Sequence, residues 1–67
     1  MNNAYILNLK FGTWENQLWF AGEKDKKAWS SAVAELDEIG DGCSGANEFF
    51  LKVTDFLEGR GFYRIEK

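Results

Sequence analysis

The chain has 67 residues, of which 45% are hydrophobic and 16% aromatic, and its formal net charge is −3. Its length predicts one small domain, and a single cysteine with no histidine excludes an internal disulfide and a His/Cys zinc site. Folding must therefore rest on a dense apolar core. The acidic composition argues against direct binding to nucleic acid, which normally requires a basic surface.

The first third of the chain predicts a β-hairpin. Apolar and polar residues alternate over residues 4–11, which indicates a half-buried strand. The breaker-rich segment 12–16 predicts a five-residue turn. Residues 17–22 predict a second strand, with Leu18 and Phe20 on one face.

The periodicity then becomes helical. Asp25 is a suitable N-cap for a first helix that ends at Gly40, and a glycine-rich loop leads to a second helix that ends at Gly59. The apolar stripe of the second helix comprises Phe49, Phe50, Val53, Phe56 and Leu57. Residues 62–66 predict a closing strand. We therefore predict an α+β fold for residues 1–67, a small single-layer β-β-α-α-β domain whose three-stranded antiparallel sheet carries two helices on one face.

The acidic residues are concentrated in one part of the chain. Seven of the eleven lie between positions 35 and 58, where Lys52 is the only basic residue, so this segment has a net charge of −6. These seven residues, called the acidic set below, are Glu35, Asp37, Glu38, Asp41, Glu48, Asp55 and Glu58. A patch of one sign steers and selects partners, and we predict that the acidic set binds one.

Helix electrostatics favour the same interpretation. Asp37 and Glu38 fall near the C-terminal end of the first predicted helix, and Asp55 and Glu58 near the end of the second. Negative charge there opposes the helix dipole, at about 0.3–1 kcal/mol for each exposed residue. A sequence that accepts this cost is using the charges for a partner; the alternative is that they only maintain solubility.

Two tryptophans are further candidates for partner binding. Trp14 falls in the predicted turn, and Trp19 points away from the predicted inner face of the second strand. Together with Tyr5 and Tyr63 they predict an exposed aromatic patch, and Trp and Tyr are enriched in binding hot spots. The alternative is that these rings cover a sheet edge or the far side of the sheet.

The residues do not define a reaction. Cys43 has no histidine to act as its base, and the adjacent Asp37 and Glu38 diverge on a helix. The twelve residues from Asp37 to Glu48 resemble an EF-hand loop in part, but the third position is Ile39, which has no side-chain oxygen. We therefore expect no enzyme activity, no bound metal and no cofactor.

We expect a non-enzymatic inhibitor whose acidic helical face docks on the basic groove of a nucleic-acid-binding protein or complex, as a partial mimic of the phosphate backbone. In size, acidity and lack of a catalytic set, the chain is similar to small phage-encoded inhibitors of host defence or transcription, such as anti-CRISPR proteins. This likeness covers composition only, and no motif carries it. The alternative is a structural subunit or adaptor that binds through a sheet edge or the aromatic patch.

The remaining expectations concern location and assembly. The N-terminal segment lacks the basic and apolar regions of a signal peptide, and no apolar run is long enough to span a membrane. A single free cysteine suits a reducing compartment. We therefore expect a cytoplasmic monomer or weak homodimer.

Overall fold

The computed structural model describes residues 3–65. The elements in chain order are β1 (Asn3–Phe11), β2 (Trp14–Gly22), α1 (Lys26–Ala34), α2 (Leu36–Asp41), α3 (Ala46–Gly59) and β3 (Phe62–Ile65). The strands form one antiparallel sheet in the order β1-β2-β3, so β2 is central. The predicted α+β class is confirmed, with helices on one face of a three-stranded sheet. Glu66, placed in the closing strand by prediction, lies outside the described residues.

The β1–β2 hairpin is tighter than predicted. All nine residues of β1 pair with β2, and the last pair is Phe11 with Trp14, so only Gly12 and Thr13 connect the strands. Gly12 has φ 62°, whereas no non-glycine residue between positions 3 and 65 has a positive φ. This is the pattern of a type II′ turn, which favours glycine at its first central position and matches the twist of the strands. The predicted five-residue turn is therefore wrong.

The first predicted helix is divided into α1 and α2 at Glu35. The backbone N–H of Glu35 donates to the carbonyl of Ala32, three residues back, at 3.1 Å, and this tighter turn separates the two helices. Gly40 does not end the helix but lies within α2. A Cβ at Gly40 would lie 3.2 Å from the Phe49 ring, so glycine here permits the close packing of α2 on α3.

The core lies between the sheet and the helices, and its aromatic rings are grouped around Trp29 of α1. The Trp29 ring stacks on Tyr5 of β1 with centroids 4.7 Å apart. It also contacts Phe20 of β2 at 5.6 Å and Phe62 of β3 at 5.0 Å. The buried core cluster comprises Leu7, Leu9, Leu18, Phe20, Trp29, Ala32, Leu36, Phe49, Val53, Leu57 and Phe62.

Several large apolar residues, including Phe50 and Phe56 of the stripe predicted for the second helix, are only partly buried. Phe11 and Val33 are also partly buried. The guanidinium of Arg60 lies 4.7 Å from the centroid of the Phe56 ring, and that of Arg64 lies 5.1 Å from the centroid of Phe50. The rings of Phe50 and Phe56 therefore form the rim of the core, where cations cover them, rather than its centre.

We expect Leu57→Ala to destabilise the domain by about 2–5 kcal/mol, because Leu57 is fully buried and its truncation leaves a cavity. A single core of this size supplies at most about 3–5 kcal/mol, so the variant should be largely unfolded. Phe56→Ala, at the adjacent position, is the control and should cost less because its ring is only partly buried. Urea unfolding followed by tryptophan fluorescence measures both, and equal losses would contradict the burial described here.

Candidate interaction surfaces

The acidic set lies entirely in the helical layer. Glu35 lies at the junction of α1 and α2, three members lie in α2 and three in α3. No charged side chain among residues 3–65 is buried. Since the apolar sides of the helices cover the sheet, their other sides present the carboxylates to solvent.

Arg60 offsets part of this charge. It follows α3 directly, and its Nη2 lies 2.8 Å from Oε2 of Glu35. The contact of its guanidinium with the Phe56 ring helps to hold it there. Glu35 therefore already has a cationic partner within the chain, and the helical layer is less negative in space than the −6 counted along the sequence.

Glu48 is engaged at the start of α3. Its Oε1 accepts hydrogen bonds from the Ser44 hydroxyl at 3.1 Å and from the Ser44 backbone N–H at 3.5 Å, and its Oε2 lies 3.4 Å from Lys52 Nζ. This resembles a capping box, in which a carboxylate in the first turn reaches back to the chain before the helix. The Ser44 hydroxyl, followed by the Ser44 N–H and the Lys52 charge, lowers the pKa of Glu48. Glu48 therefore has a local structural role.

We expect Ser44→Ala to raise the pKa of Glu48 toward its ordinary value of 4.5, because the hydroxyl is the largest cause of the lowering. A lowered pKa in the folded state contributes stability that is complete above the unfolded-state pKa and is lost as pH falls through the folded-state pKa. The parent should therefore lose more stability than Ser44→Ala when the pH is lowered below 4.5.

NMR titration of the Glu48 side-chain carboxyl measures this effect. Lys52→Met keeps both hydrogen bonds from Ser44 and is the control; it should also raise the pKa of Glu48, because the charge of Lys52 is a further cause of the lowering. An unchanged Glu48 pKa in Ser44→Ala would show that the Ser44 contact does not hold in solution.

The break at Glu35 reverses the dipole argument for two acidic residues. Asp37 and Glu38 lie in the first turn of α2, not at the end of a long helix. Negative charge is favourable at a helix N-terminus, so the predicted cost at these positions is wrong. Asp55 and Glu58 do lie toward the C-terminal end of α3, whose last turn has no basic residue, and the opposition to the dipole remains there.

Asp37 and Asp41, one turn apart on α2, lie beside the sheet edge. They line an open groove of about 440 Å³ together with Lys10 of β1. Lys10, like Arg60, is therefore a cationic residue from outside the acidic segment that folding brings close to it. Five members of the acidic set are exposed and form no ion pair with any residue between 3 and 65: Asp37, Glu38, Asp41, Asp55 and Glu58.

The segment resembling a calcium loop is folded differently. Residues 37–41 belong to helix α2, and Glu48 is bound to Ser44. The described part of the chain contains no group of three or more side chains arranged to hold a metal ion. The first and fifth positions of the resemblance therefore lie on a helix, where an EF-hand requires a loop that wraps around the ion.

We expect calcium at millimolar concentration to leave the melting temperature unchanged, because residues 37–41 form a helix rather than a calcium-binding loop. A calcium ion bound only to the folded state would raise the melting temperature. Differential scanning fluorimetry with and without a chelator tests this. A calcium-dependent rise that the chelator reverses would contradict the assignment of residues 37–41 to a helix.

Leu51 is a surface feature that the sequence analysis missed. It is the most exposed large hydrophobic side chain in the described chain, at 60%. Glu48 lies three residues before it and Asp55 four residues after it, so all three share one side of α3. The helical periodicity could have predicted its exposure, because Leu51 lies about 200° around the helix from Phe49 of the buried stripe.

The two candidate tryptophans lie on opposite faces of the sheet. Trp14 pairs with Phe11 and packs against the core on the helix-covered face. Trp19 has the opposite parity and lies on the uncovered face, between its cross-strand partners Ile6 and Ile65. A single patch containing both tryptophans is therefore wrong.

The uncovered face of the sheet, called the open face below, has an apolar and a polar end. Its apolar end is formed by Ala4, Ile6, Trp19, Ala21, Tyr63 and Ile65. Ile6 is 49% and Tyr63 is 44% exposed. At the polar end, the amide of Gln17 donates to Oδ1 of Asn8 at 3.1 Å. Tyr5, the fourth residue of the predicted patch, instead lies on the covered face against Trp29.

Comparison with protein-family models, curated proteins and solved structures finds no match for this chain. Within residues 3–65, no helix has the length and apolar character needed to cross a membrane.

Proposed function

We propose that this protein is a non-enzymatic binding protein whose acidic helical layer docks on a basic protein surface. One observation carries the proposal: Leu51 is 60% exposed on the same side of α3 as Asp55, a carboxylate without an ion pair among the described residues. Glu58, one turn further along, extends the negative charge. An apolar side chain flanked by charges has the composition of an interface centre with a polar rim.

The carboxylates of α2 add to this surface. Asp37, Glu38 and Asp41 lie within a helix of six residues that contains no basic residue. The close packing of Gly40 on Phe49 holds α2 beside α3, and the Glu35–Arg60 ion pair spans the α1–α2 junction and the end of α3. Exposed charges contribute little to the stability of the monomer, but they speed association and select partners of opposite charge.

The partner class follows from charge. Grooves that bind the phosphate backbone of nucleic acids are strongly basic surfaces. A compact acidic domain seated in such a groove would exclude the nucleic acid, and the protein would then act as an inhibitor and partial phosphate mimic. Within this proposal, a phage-encoded inhibitor of host defence, similar in kind to anti-CRISPR proteins, is the favoured biological setting.

A structural or adaptor role through the open face is the second candidate. The exposure of Ile6 and Tyr63 at its apolar end favours it. Salt distinguishes the two, since docking led by charge weakens as ionic strength rises and apolar docking does not.

The proposal is tested with two charge reversals of equal size. Glu38→Lys with Asp41→Lys changes the helical layer, and Glu15→Lys with Glu23→Lys changes exposed acids outside it. Each bait is used for affinity capture from the source cell at low salt, followed by identification of the captured protein by mass spectrometry. We expect the parent and the Glu15/Glu23 variant to capture a basic nucleic-acid-binding protein, and the Glu38/Asp41 variant to lose at least tenfold of it, mainly through a slower on-rate.

Circular dichroism of both variants confirms that the fold is retained, as expected for exposed positions. A partner captured equally by both variants, with no dependence on salt, would contradict the role of the acidic layer. A captured protein whose binding to nucleic acid is unaffected would contradict the proposed inhibition.

A further inference from the structure

The outer edge of β1 lacks the features that usually block strand addition. β1 is nine residues long, contains no proline and pairs with β2 in a continuous register without a bulge. Its only charged residue is Lys10. Natural edge strands are commonly short, bulged, proline-containing or charged, because an open edge presents unpaired backbone groups. The opposite edge, β3, has only four residues.

The hairpin geometry shows which backbone groups point outward. In a two-residue hairpin the residues flanking the turn, here Phe11 and Trp14, form a hydrogen-bonded pair, and bonded and non-bonded pairs then alternate along the strands. Even-numbered positions of β1 are therefore the non-bonded ones, and their N–H and C=O groups face away from β2. These positions are Ala4, Ile6, Asn8 and Lys10.

We infer that this edge pairs with the same edge of a second copy of the chain, which gives a six-stranded antiparallel sheet across a two-fold axis. Residues that face one another across this axis must point to the same side of the sheet, which restricts the register. With Leu7 on the axis, all nine residues of β1 find a partner. Ile6 then pairs with Asn8 of the second copy, and Ala4 with Lys10, which provides about eight hydrogen bonds between the outward-facing groups.

The position of the only charge on β1 is compatible with a second copy as the occupant. The two Lys10 side chains lie six positions apart along the paired strands, about 20 Å, which exceeds the Debye length of about 8 Å at physiological salt. No like charges of β1 therefore face each other. A groove of about 160 Å³ also runs along this edge. Its apolar lining is formed by Leu7, Leu9, Val33, Leu36 and Phe49, and its polar lining by Asn8, Lys10 and Asp37. Covered-face side chains of a paired strand would reach the apolar part of this groove.

This inference does not depend on the partner proposed above and is tested on the purified chain alone. Sedimentation velocity from micromolar to millimolar concentration should show a monomer–dimer equilibrium. Amide hydrogen exchange should slow by about tenfold or more at Ile6 and Asn8 as concentration rises. The inward-facing amides of Leu7 and Leu9 should be protected at all concentrations.

Asn8→Pro removes one outward-facing N–H and should weaken the dimer by about tenfold or more, since proline is tolerated on the free side of an edge strand. Asn8→Ala is the matched control: it also removes the hydrogen bond to Gln17 but keeps the N–H, and it should dimerise like the parent. Circular dichroism checks that both variants fold. A chain that is monomeric at every concentration overturns the inference. A dimer whose Ile6 and Asn8 amides exchange freely also overturns it and assigns the contact to another surface, such as the open face.

Discussion

The contact of Trp29 with one aromatic ring from each strand is the interaction on which the rest of this structure depends. The three rings belong to Tyr5 of β1, Phe20 of β2 and Phe62 of β3, and their centroids lie 4.7–5.6 Å from that of Trp29. The rings of Tyr5 and Phe62 also contact each other, with centroids 5.7 Å apart. Buried aromatic rings each remove about 150–250 Å² from solvent. In a chain without disulfides, this cluster joins α1 to the whole sheet and fixes which face the helices cover.

A core on one face of the sheet leaves the remaining surfaces available for binding. The chain has enough apolar side chains to cover one face, and α3 supplies the fully buried Val53 and Leu57 for that purpose. This arrangement leaves three surfaces exposed: the outer sides of the helices, the open face and the edge of β1. All three candidate interaction surfaces are therefore exposed because the core covers only one face of the sheet. Their chemistry differs: the helices present carboxylates, the open face presents apolar side chains, and the edge of β1 presents backbone groups.

The parts of the fold that were predicted depend on neighbours in sequence. Asp25 caps α1 through a hydrogen bond of 2.9 Å to the N–H of Ala28, as its position before the helix indicated. The parity of Leu18 and Phe20 and the stripe of α3 follow from strand and helix geometry. The open face could be located by the same rule. Trp14 was nevertheless assigned to the turn, because Gly12 is compatible with either a two-residue or a longer connection.

The errors came from features that local pattern does not encode. No glycine or proline marks the break at Glu35, where the backbone N–H donates to the carbonyl of Ala32 and the carboxylate pairs with Arg60, 25 positions away. Because the prediction did not include this break, it placed Asp37 and Glu38 near the C-terminal end of a long helix instead of in the first turn of α2. The charge of the acidic segment was likewise counted along the chain, although folding brings Arg60 to Glu35 and Lys10 to the groove lined by Asp37 and Asp41.

The two proposed associations are compatible and respond to salt in opposite ways. A two-fold axis perpendicular to the paired sheets keeps the helices of both copies on the same side, so a β1-paired dimer would present two acidic layers in one direction. A basic partner with two sites would then gain avidity from the dimer. Repulsion between two acidic layers opposes dimerisation, so added salt should strengthen the dimer while it weakens binding to the basic partner. Dimerisation and partner binding can therefore be separated by ionic strength alone, even though the carboxylates of the helical layer influence both.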